Sequence, residues 1–199
     1  MEGIEPPWFR GRQDLPLTEK GRAQAQATAR RIQASWKPVA IYTSPLSRTA
    51  DTGAAIAEGF KLPVLKDAHL IDLNYGQWQG LTYDDVAARW PDDWEVWRSR
   101  PDLARIPGGE SLFQLAIRVV DFLTEIMGLH PEDTVVIVGH DSLNRILLLQ
   151  ALDVPLSRFW HLSQDPCGVN ELEIRNGNFV VHSVNETYHM ATSQEIARH

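Results

Sequence analysis

The chain has little cysteine, no excess of positive charge and no long hydrophobic run. Its 199 residues include one cysteine, Cys167, which excludes an internal disulfide and favours a reducing, cytoplasmic setting. Lysine and arginine number 19 against 26 acidic residues, a formal net charge of -7, so we expect no nucleic-acid partner. No apolar run reaches transmembrane length, and the first residues lack the pattern of a signal peptide. We therefore expect a cytoplasmic protein with no membrane partner.

Three common catalytic motifs are also missing. The sequence has no Gly-x-Ser-x-Gly nucleophile elbow of a serine hydrolase and no P-loop. The "GHD" at residues 139–141 has no second histidine at a spacing typical of metal ligands. We therefore expect no metal and no cofactor.

The first third of the chain alternates helix and strand patterns. Thr18 can cap an amphipathic helix, and the apolar residues 39–42 that follow it predict a short strand. Ser44 and Pro45 then predict the start of a second, alanine-rich helix. The segment "PVLK", residues 63–66, predicts another short strand.

The rest of the chain continues this alternation after a long irregular segment. Residues 76–109 are dense in Trp, Pro, Asp and Gly, which is typical of a lid or insertion. Residues 134–138, "TVVIV", predict a strand buried on both faces, and Asn176-Gly177 predicts a hairpin turn. Between the segment 76–109 and that strand lies a helical stripe of apolar residues, Leu112, Leu115, Val119, Phe122 and Ile126.

These patterns predict an α/β fold. We expect three layers, with a mostly parallel sheet flanked by helices, an antiparallel edge and a C-terminal hairpin. Residues 1–199 are expected to form a single domain, with the lid or insertion at about 76–109.

Two residues stand where ligands bind in such folds. His140 follows the strand at 134–138, and Arg48 lies in the turn and helix start after the strand at 39–42. Loops and helix N-termini meet at the carboxyl ends of parallel strands, so both side chains belong to one edge of the sheet. Each also has a simpler interpretation, a structural histidine and a solvated arginine. A binding module without catalysis needs only these two residues and a pocket.

Five motifs in order then resemble a known family. They are "GRQDLPLTEKGRAQA", "YTSPLSRTADTG", "LIDLNYGQWQGLTYDDV", "PGGESLFQLAIRV" and "VVIVGHDSLNRILL". Together they resemble the histidine phosphatase superfamily, also called the phosphoglycerate mutase-like family, over nearly the whole chain. The resemblance implies phosphoryl transfer through a phosphohistidine.

The resemblance also implies roles for individual residues. Arg48 is expected to clamp the phosphoryl group, and His140 matches the second histidine of the family, which donates to the developing charge. Asp72 stands where the family usually has a glutamate as proton donor, so its reach is one methylene shorter. The alternative for Asp72 is an ordinary loop aspartate.

The loop "FRGRQD" matches the segment that faces the substrate in this family. Arg10, Gly11 and Arg12 are therefore expected to bind the substrate phosphate, with Gly11 allowing close backbone approach. A solvated loop remains the alternative for both arginines. Glu110 and Arg118 also match the family, and we interpret them as a helix-start residue and a salt-bridge residue. The tryptophans 78, 90, 94 and 97 are predicted to be core residues, with a pocket wall as the alternative.

One family motif has no counterpart in this sequence. The first strand of the family ends in Arg-His-Gly, which carries the nucleophilic histidine, and none of the seven histidines here lies in such a triplet. That strand is expected beside the one ending at His140. One hypothesis is that the native start lies upstream and supplies the triplet. The other is a pseudoenzyme that binds phosphate esters without turnover. The mass of the native protein, compared with 22.5 kDa, distinguishes them.

The expected function is hydrolysis of a small phosphorylated metabolite. The chain lacks the long insertion of the glycolytic mutases of the family, which favours a phosphatase over a phosphotransferase. The segment 76–109 is expected to set the substrate, although nothing in it identifies a particular ester. The sequence leaves the oligomeric state open.

Overall fold

A computed structural model describes residues 7–191. These residues contain six α-helices and five β-strands. The helices are α1 (Glu19–Ser35), α2 (Ser47–Phe60), α3 (Tyr83–Arg89), α4 (Pro91–Ser99), α5 (Leu112–Leu129) and α6 (Asp141–Ala151). The strands are β1 (Ala40–Thr43), β2 (Val64–Lys66), β3 (Val135–Val138), β4 (Val169–Arg175) and β5 (Asn178–Glu186). The predicted α/β class is confirmed.

The parallel sheet has the strand order β2-β1-β3. Because side chains alternate along a strand, the sheet presents two apolar faces. Ile41 packs with α1 and α2 in one core cluster, whereas Tyr42 packs with α5 and α6 in the other. The sheet is thus the middle of three layers, as predicted.

Local signals account for the helices on both faces. The Thr18 side chain accepts a hydrogen bond from the Gly21 amide at 3.0 Å, which confirms the predicted cap of α1. Helix α5 starts at a capping box formed by Ser111 and Gln114. Its buried residues are the five of the predicted stripe, Leu112, Leu115, Val119, Phe122 and Ile126.

The predicted start of α2 was wrong. The helix begins at Ser47, with Leu46 at the N-cap position, rather than at Ser44 and Pro45. The hydroxyl of Ser44 instead accepts a hydrogen bond from the Leu46 amide at 3.3 Å. The first free amide of the helix, that of Ser47, donates to the Asp14 carboxylate at 2.7 Å. A carboxylate in this position satisfies a free N–H group and interacts favourably with the helix dipole.

The C-terminal hairpin forms where the sequence predicts it. Asn176 and Gly177 both have positive φ, 53° and 76°, as a tight hairpin turn requires. The hairpin is a separate two-stranded sheet, β4-β5, and does not extend the parallel one.

Strand β3 is the open edge of the parallel sheet. Within residues 7–191 it pairs with β1 alone. All four of its residues are half-buried, so the prediction of a strand buried on both faces was wrong. The physical reason is the cavity that runs along its free edge, described below.

The irregular segment 76–109 is folded into the core. It contains α3, α4 and two short 3-10 turns, Gly76–Trp78 and Pro101–Leu103. Trp78 and Trp97 are buried in the larger core cluster, which confirms the core interpretation for both, and Trp97 also lines the cavity described below. Trp90 and Trp94 pack against the same cluster from partly buried positions.

The lengths and hydropathy of the described helices bear on whether the chain could span a membrane. None of the helices within residues 7–191 combines the length and the apolarity needed to cross a bilayer.

Candidate active site

Three side chains predicted from the sequence meet at the carboxyl end of the parallel sheet. Arg48 comes from the first turn of α2, Asp72 from the loop after β2, and His140 from the end of β3. Arg48 Nη2 lies 3.3 Å from Asp72 Oδ2, and His140 Nδ1 lies 3.9 Å from the same oxygen. All three line one cavity of about 960 Å³.

The guanidinium of Arg48 is fixed by backbone carbonyls of the "FRGRQD" loop. It donates to the carbonyl of Gly11 at 2.7 Å and to that of Gln13 at 2.8 Å. Gly11 has φ of +49°, and a Cβ there would lie 2.9 Å from the Leu73 carbonyl oxygen and from the Tyr75 ring. Glycine is therefore required at this position so that the loop can hold Arg48.

The Asp72 carboxyl has a raised pKa. Burial raises the pKa of Asp72 to about 7, against the opposing effects of Arg48 and of a 2.8 Å hydrogen bond from the Leu73 amide. A carboxyl with such a pKa can both give and take a proton near neutral pH. Asp72 thus has the property that a general acid needs.

The imidazole of His140 is neutral. Burial, together with the charges of Arg48 and Arg118, lowers the pKa of His140 to about 3. Its Nε2 atom is buried without a hydrogen-bond partner among the described residues. A buried polar atom without a partner is costly and is therefore a candidate contact for a ligand. Within residues 7–191, no group of three or more His, Cys, Asp or Glu side chains is placed to hold a metal ion.

The ion pair of Glu110 and Arg118 stabilises the loop that carries Asp72. Arg118 Nε and Nη2 donate to the two carboxylate oxygens of Glu110 at 2.8 and 2.9 Å. Arg118 Nη1 also donates to the Ile71 carbonyl at 2.9 Å. The salt-bridge interpretation of this pair is confirmed, and its position shows that it supports the Asp72 loop.

Arg12 belongs to this support and does not line the cavity. It donates to the Asp72 carbonyl at 3.2 Å and to the Glu110 carboxylate at 3.3 Å. These contacts are structural, and a phosphate-binding role for Arg12 stays a prediction.

Arg10 lies in the cavity itself. Its guanidinium carbon is 5.7 Å from the centre of the Trp8 ring, within the range of a cation–π contact. Burial, and then repulsion from Arg48, lower the pKa of Arg10. The positive charges of Arg10 and Arg48 therefore share one pocket, which favours an anionic ligand.

Several cavity residues were missed from the sequence. They are Tyr75, Tyr83, Asp141, Arg145 and Trp160. For Asp141 a signal exists, because it directly follows His140 at the end of a strand. Tyr75 and Arg145 lie three and five residues after Asp72 and His140, whereas Tyr83 and Trp160 come from more distant segments that only the fold brings to the cavity. Of the two histidines whose position the sequence left open, His161 lines the cavity. His189 does not line it but lies 3.0 Å from the hydroxyl of Thr28, which does.

The cavity continues from this pocket along the free edge of β3. Its walls there are Val136 to Gly139 on one side and Val169 of β4 on the other. Thr28 and Ile32 of α1 and Ile56 of α2 also line it. We call this part of the cavity the slot. It lies between the free edge of β3 and the start of the hairpin. The volume of the whole cavity, about 960 Å³, lies at the upper end of the range for ligand pockets.

The sequence is similar to those of known proteins over most of its length. A family model described as histidine phosphatase superfamily (branch 1) matches residues 4–187. Phosphoserine phosphatase 1 of Hydrogenobacter thermophilus is 33% identical over 182 residues, which cover 92% of this chain and 86% of that protein.

Solved structures share the fold. Bacillus stearothermophilus YhfR has a TM-score of 0.87 at 29% identity, covering 92% of this chain and 91% of its own. The mycobacterial glucosyl-3-phosphoglycerate phosphatase Rv2419c has a TM-score of 0.83 at 26% identity, covering 94% of both chains.

Proposed function

Because the chain belongs to the histidine phosphatase superfamily, we propose that it is a phosphoric monoester hydrolase that acts through a phosphohistidine on a small phosphorylated metabolite. The single observation that carries the proposal is the meeting of Arg48, a neutral His140 and a protonatable Asp72 in one cavity. O-Phosphoserine is the first substrate to assay, since the Hydrogenobacter relative is named a phosphoserine phosphatase.

Arg48 and His140 bind the phosphoryl group in this proposal. The planar guanidinium of Arg48 donates to phosphoryl oxygens. Neutral His140 carries one ring N–H, and its unpartnered Nε2 is the atom for that donation. Arg10 adds positive charge to the same cavity. The loop glycine, Gly11, holds Arg48 in place.

Asp72 provides the proton that the leaving alcohol needs. A histidine nitrogen attacks phosphorus, the ester P–O bond breaks, and Asp72 protonates the departing oxygen. The carboxylate then takes a proton from water, the water oxygen attacks phosphorus, and the P–N bond breaks to release phosphate. The raised pKa supports both steps, since Asp72 must alternate between its two forms near neutral pH.

The nucleophilic histidine in this scheme is carried by a strand that pairs with the free edge of β3. The slot supports that position, because it runs along β3 and opens beside Arg48 and His140. A strand parallel to β3 ends at the same level as His140, so a histidine at its carboxyl end faces the phosphoryl site.

The proposal is tested by adding a strand that carries the nucleophilic histidine to the chain. A short apolar strand ending in Arg-His-Gly is fused before Met1, and O-phosphoserine hydrolysis is measured beside a matched fusion ending in Arg-Ala-Gly. We expect phosphate release and an acid-labile phosphoenzyme from the first fusion only. A folded Arg-His-Gly fusion that binds phosphate but forms no phosphoenzyme would contradict the proposal.

A second candidate is a binding protein without turnover. The meeting of Arg48 and His140 in one cavity supports it, because binding needs only these two residues and a pocket. The Arg-Ala-Gly fusion and the unmodified chain measure this function directly, as affinity for inorganic phosphate.

A further inference from the structure

The side chain of Tyr75 connects three segments that meet at the cavity. Tyr75 lines the cavity and lies three residues after Asp72. Its hydroxyl is 2.9 Å from the hydroxyl of Ser142, which lies two residues after His140. Its ring contacts Gly11 so closely that a Cβ at that glycine would lie 2.9 Å from the ring atom Cδ2. One side chain thus joins the Asp72 loop to the start of α6 and to the loop of Gly11.

Packing fixes the ring of Tyr75. Its centroid lies 4.8 Å from that of Phe9 and 6.0 Å from that of Trp97, at the tilted and edge-on angles that aromatic pairs prefer. On another side the ring contacts Gly11, whose carbonyl accepts a 2.7 Å hydrogen bond from Arg48. The ring therefore supports the loop that holds Arg48, and a phenylalanine would provide the same packing.

The hydroxyl of Tyr75 makes a contact that packing alone does not require. Burial, and then the charge of Asp72, raise the pKa of Tyr75 well above its ordinary value, so the hydroxyl keeps its proton and is able to donate. Ser142 is 3% exposed, and among residues 7–191 its hydroxyl has no other hydrogen-bond partner. Loss of either hydroxyl would leave the other unpaired in a buried position, which is costly.

The segment from Asp72 to Tyr75 is held in place at each residue. The amide of Leu73, which is completely buried, donates to the Asp72 carboxylate at 2.8 Å. The amide of Asn74 donates to the Glu110 carboxylate at 3.3 Å, and its carbonyl accepts from the Glu110 amide at 2.8 Å. Because these contacts restrict the segment, a displacement of Tyr75 moves Asp72 with it.

The other end of the Tyr75 hydrogen bond lies in the first turn of α6. The carbonyl of His140 accepts a 2.8 Å hydrogen bond from the Asn144 amide, so His140 and Ser142 belong to the same hydrogen-bonded turn. Across the gap between this turn and the Asp72 loop, His140 Nδ1 lies 3.9 Å from Asp72 Oδ2. The bond between Tyr75 and Ser142 spans that same gap.

We propose that Tyr75 is a positioning residue whose hydrogen bond to Ser142 sets the distance between Asp72 and His140. The inference rests on the proposed function, because this distance matters only if both side chains act on one phosphoryl group. Catalytic groups must be held to within about 0.5 Å of their productive geometry. A tyrosine that only filled the core would stabilise the fold and would not affect the binding of an anion.

The test removes each hydroxyl and measures anion binding. Tyr75→Phe keeps the ring, Ser142→Ala removes the partner, and the double variant lacks both hydroxyls. Calorimetry on the 199-residue chain gives the affinity for sulfate, a tetrahedral dianion whose charge stays constant between pH 5 and pH 8. Tyr188→Phe is the matched control, since Tyr188 is exposed and does not line the cavity.

The pH dependence of sulfate affinity separates positioning from stability. As Asp72 loses its proton, with a pKa of about 7, its negative charge opposes the anion, so affinity falls as pH rises through about 7. Over this range Arg48 and Arg118 stay charged, and His140, with a pKa of about 3, stays neutral. Asp141 also has a pKa raised by burial. A parallel profile of Asp72→Asn therefore identifies the part that is due to Asp72.

The expected result combines a weaker affinity with a shifted profile. Tyr75→Phe and Ser142→Ala each weaken sulfate binding about fivefold, and the double variant is no weaker than either, because all three lack the same bond. The fall in affinity also moves to lower pH, since an Asp72 released from its buried position has a pKa closer to the ordinary value. Tyr188→Phe changes neither quantity.

Three results overturn the inference in different ways. If sulfate binds the parent chain, Tyr75→Phe and Ser142→Ala with the same affinity and pH profile, Tyr75 only fills the core, and the phosphoryl site itself stands. Additive losses in the double variant would show that the two hydroxyls act independently. If sulfate binds none of the proteins, the proposed function fails, and the inference fails with it. Should one single variant not fold, the other decides, because both lack the same bond.

Discussion

Two clusters of buried charge meet at the loop that carries Asp72. On one side, Glu110 and Arg118 form a two-bond ion pair, and both partners have further backbone contacts. On the other side, Arg48 and His140 approach Asp72 at 3.3 and 3.9 Å, distances too long for strong hydrogen bonds.

The two carboxyl groups show the difference in their pKa values. Although burial opposes it, hydrogen bonds and the charge of Arg118 hold the pKa of Glu110 below its ordinary value. At Asp72 burial prevails and raises the pKa to about 7. A fully paired carboxylate supports structure, whereas an incompletely paired one remains free for proton transfer and ligand binding.

The largest expected effect comes from the fully paired cluster. Glu110→Ala leaves Arg118 and Arg12 without their shared carboxylate, which should lower the free energy of unfolding by about 3–5 kcal/mol. Urea unfolding measures this change. The matched control is Glu95→Ala, whose ion pair with Arg98 is exposed and should contribute little. Equal stability of the two variants would show that pairing does not distinguish the clusters.

The second effect concerns Asp72 and depends on pH. Because its pKa is raised when folded, the folded state binds the proton more tightly than the unfolded chain, and stability falls as pH rises from about 4 to about 7. Asp72→Asn removes this loss, which is at most about 4 kcal/mol over the whole range and about 2.6 kcal/mol between pH 5 and pH 8. Unfolding free energies at pH 5 and pH 8 test it, with the exposed Glu132→Gln as control. A constant difference between Asp72→Asn and the parent protein across this range would contradict the raised pKa.

The smallest effect is on ligand binding. Arg48→Lys keeps the charge but loses the planar fork, so affinity for inorganic phosphate should fall about tenfold, or about 1.4 kcal/mol. Isothermal calorimetry measures the affinity, and Arg98→Lys on the exposed side of α4 is the control. If phosphate affinity were unchanged, Arg48 would belong with the structural cluster.

Elements with strong local signals could be predicted from the sequence. The buried residues of α5 match the apolar stripe residue for residue, and the turn at Asn176-Gly177 forms as expected. In both cases the physical cause lies within a few neighbouring residues. The start of α2 could not be found in this way, because its partner is Asp14, 33 positions away.

The site was predictable to a lesser degree. His140 follows a strand and could be placed at the sheet edge from pattern alone, whereas Asp72 lies in an irregular loop and was found only by family resemblance. The sequence could not show that Arg10 lines the cavity while Arg12 forms an ion pair, because it does not show that Glu110 lies beside Arg12. Long-range pairing of charges is what the sequence pattern lacks.

The open edge of β3 has a consequence for the behaviour of the chain in solution. Its four residues, "VVIV", have high β-propensity and no charge, and one row of their backbone hydrogen-bonding groups has no strand partner within residues 7–191. Such an edge is a template for pairing with another chain, and therefore for aggregation. We expect the 199-residue chain to aggregate to a greater extent as its concentration rises. A strand that binds in the slot and pairs with β3 should prevent that self-association.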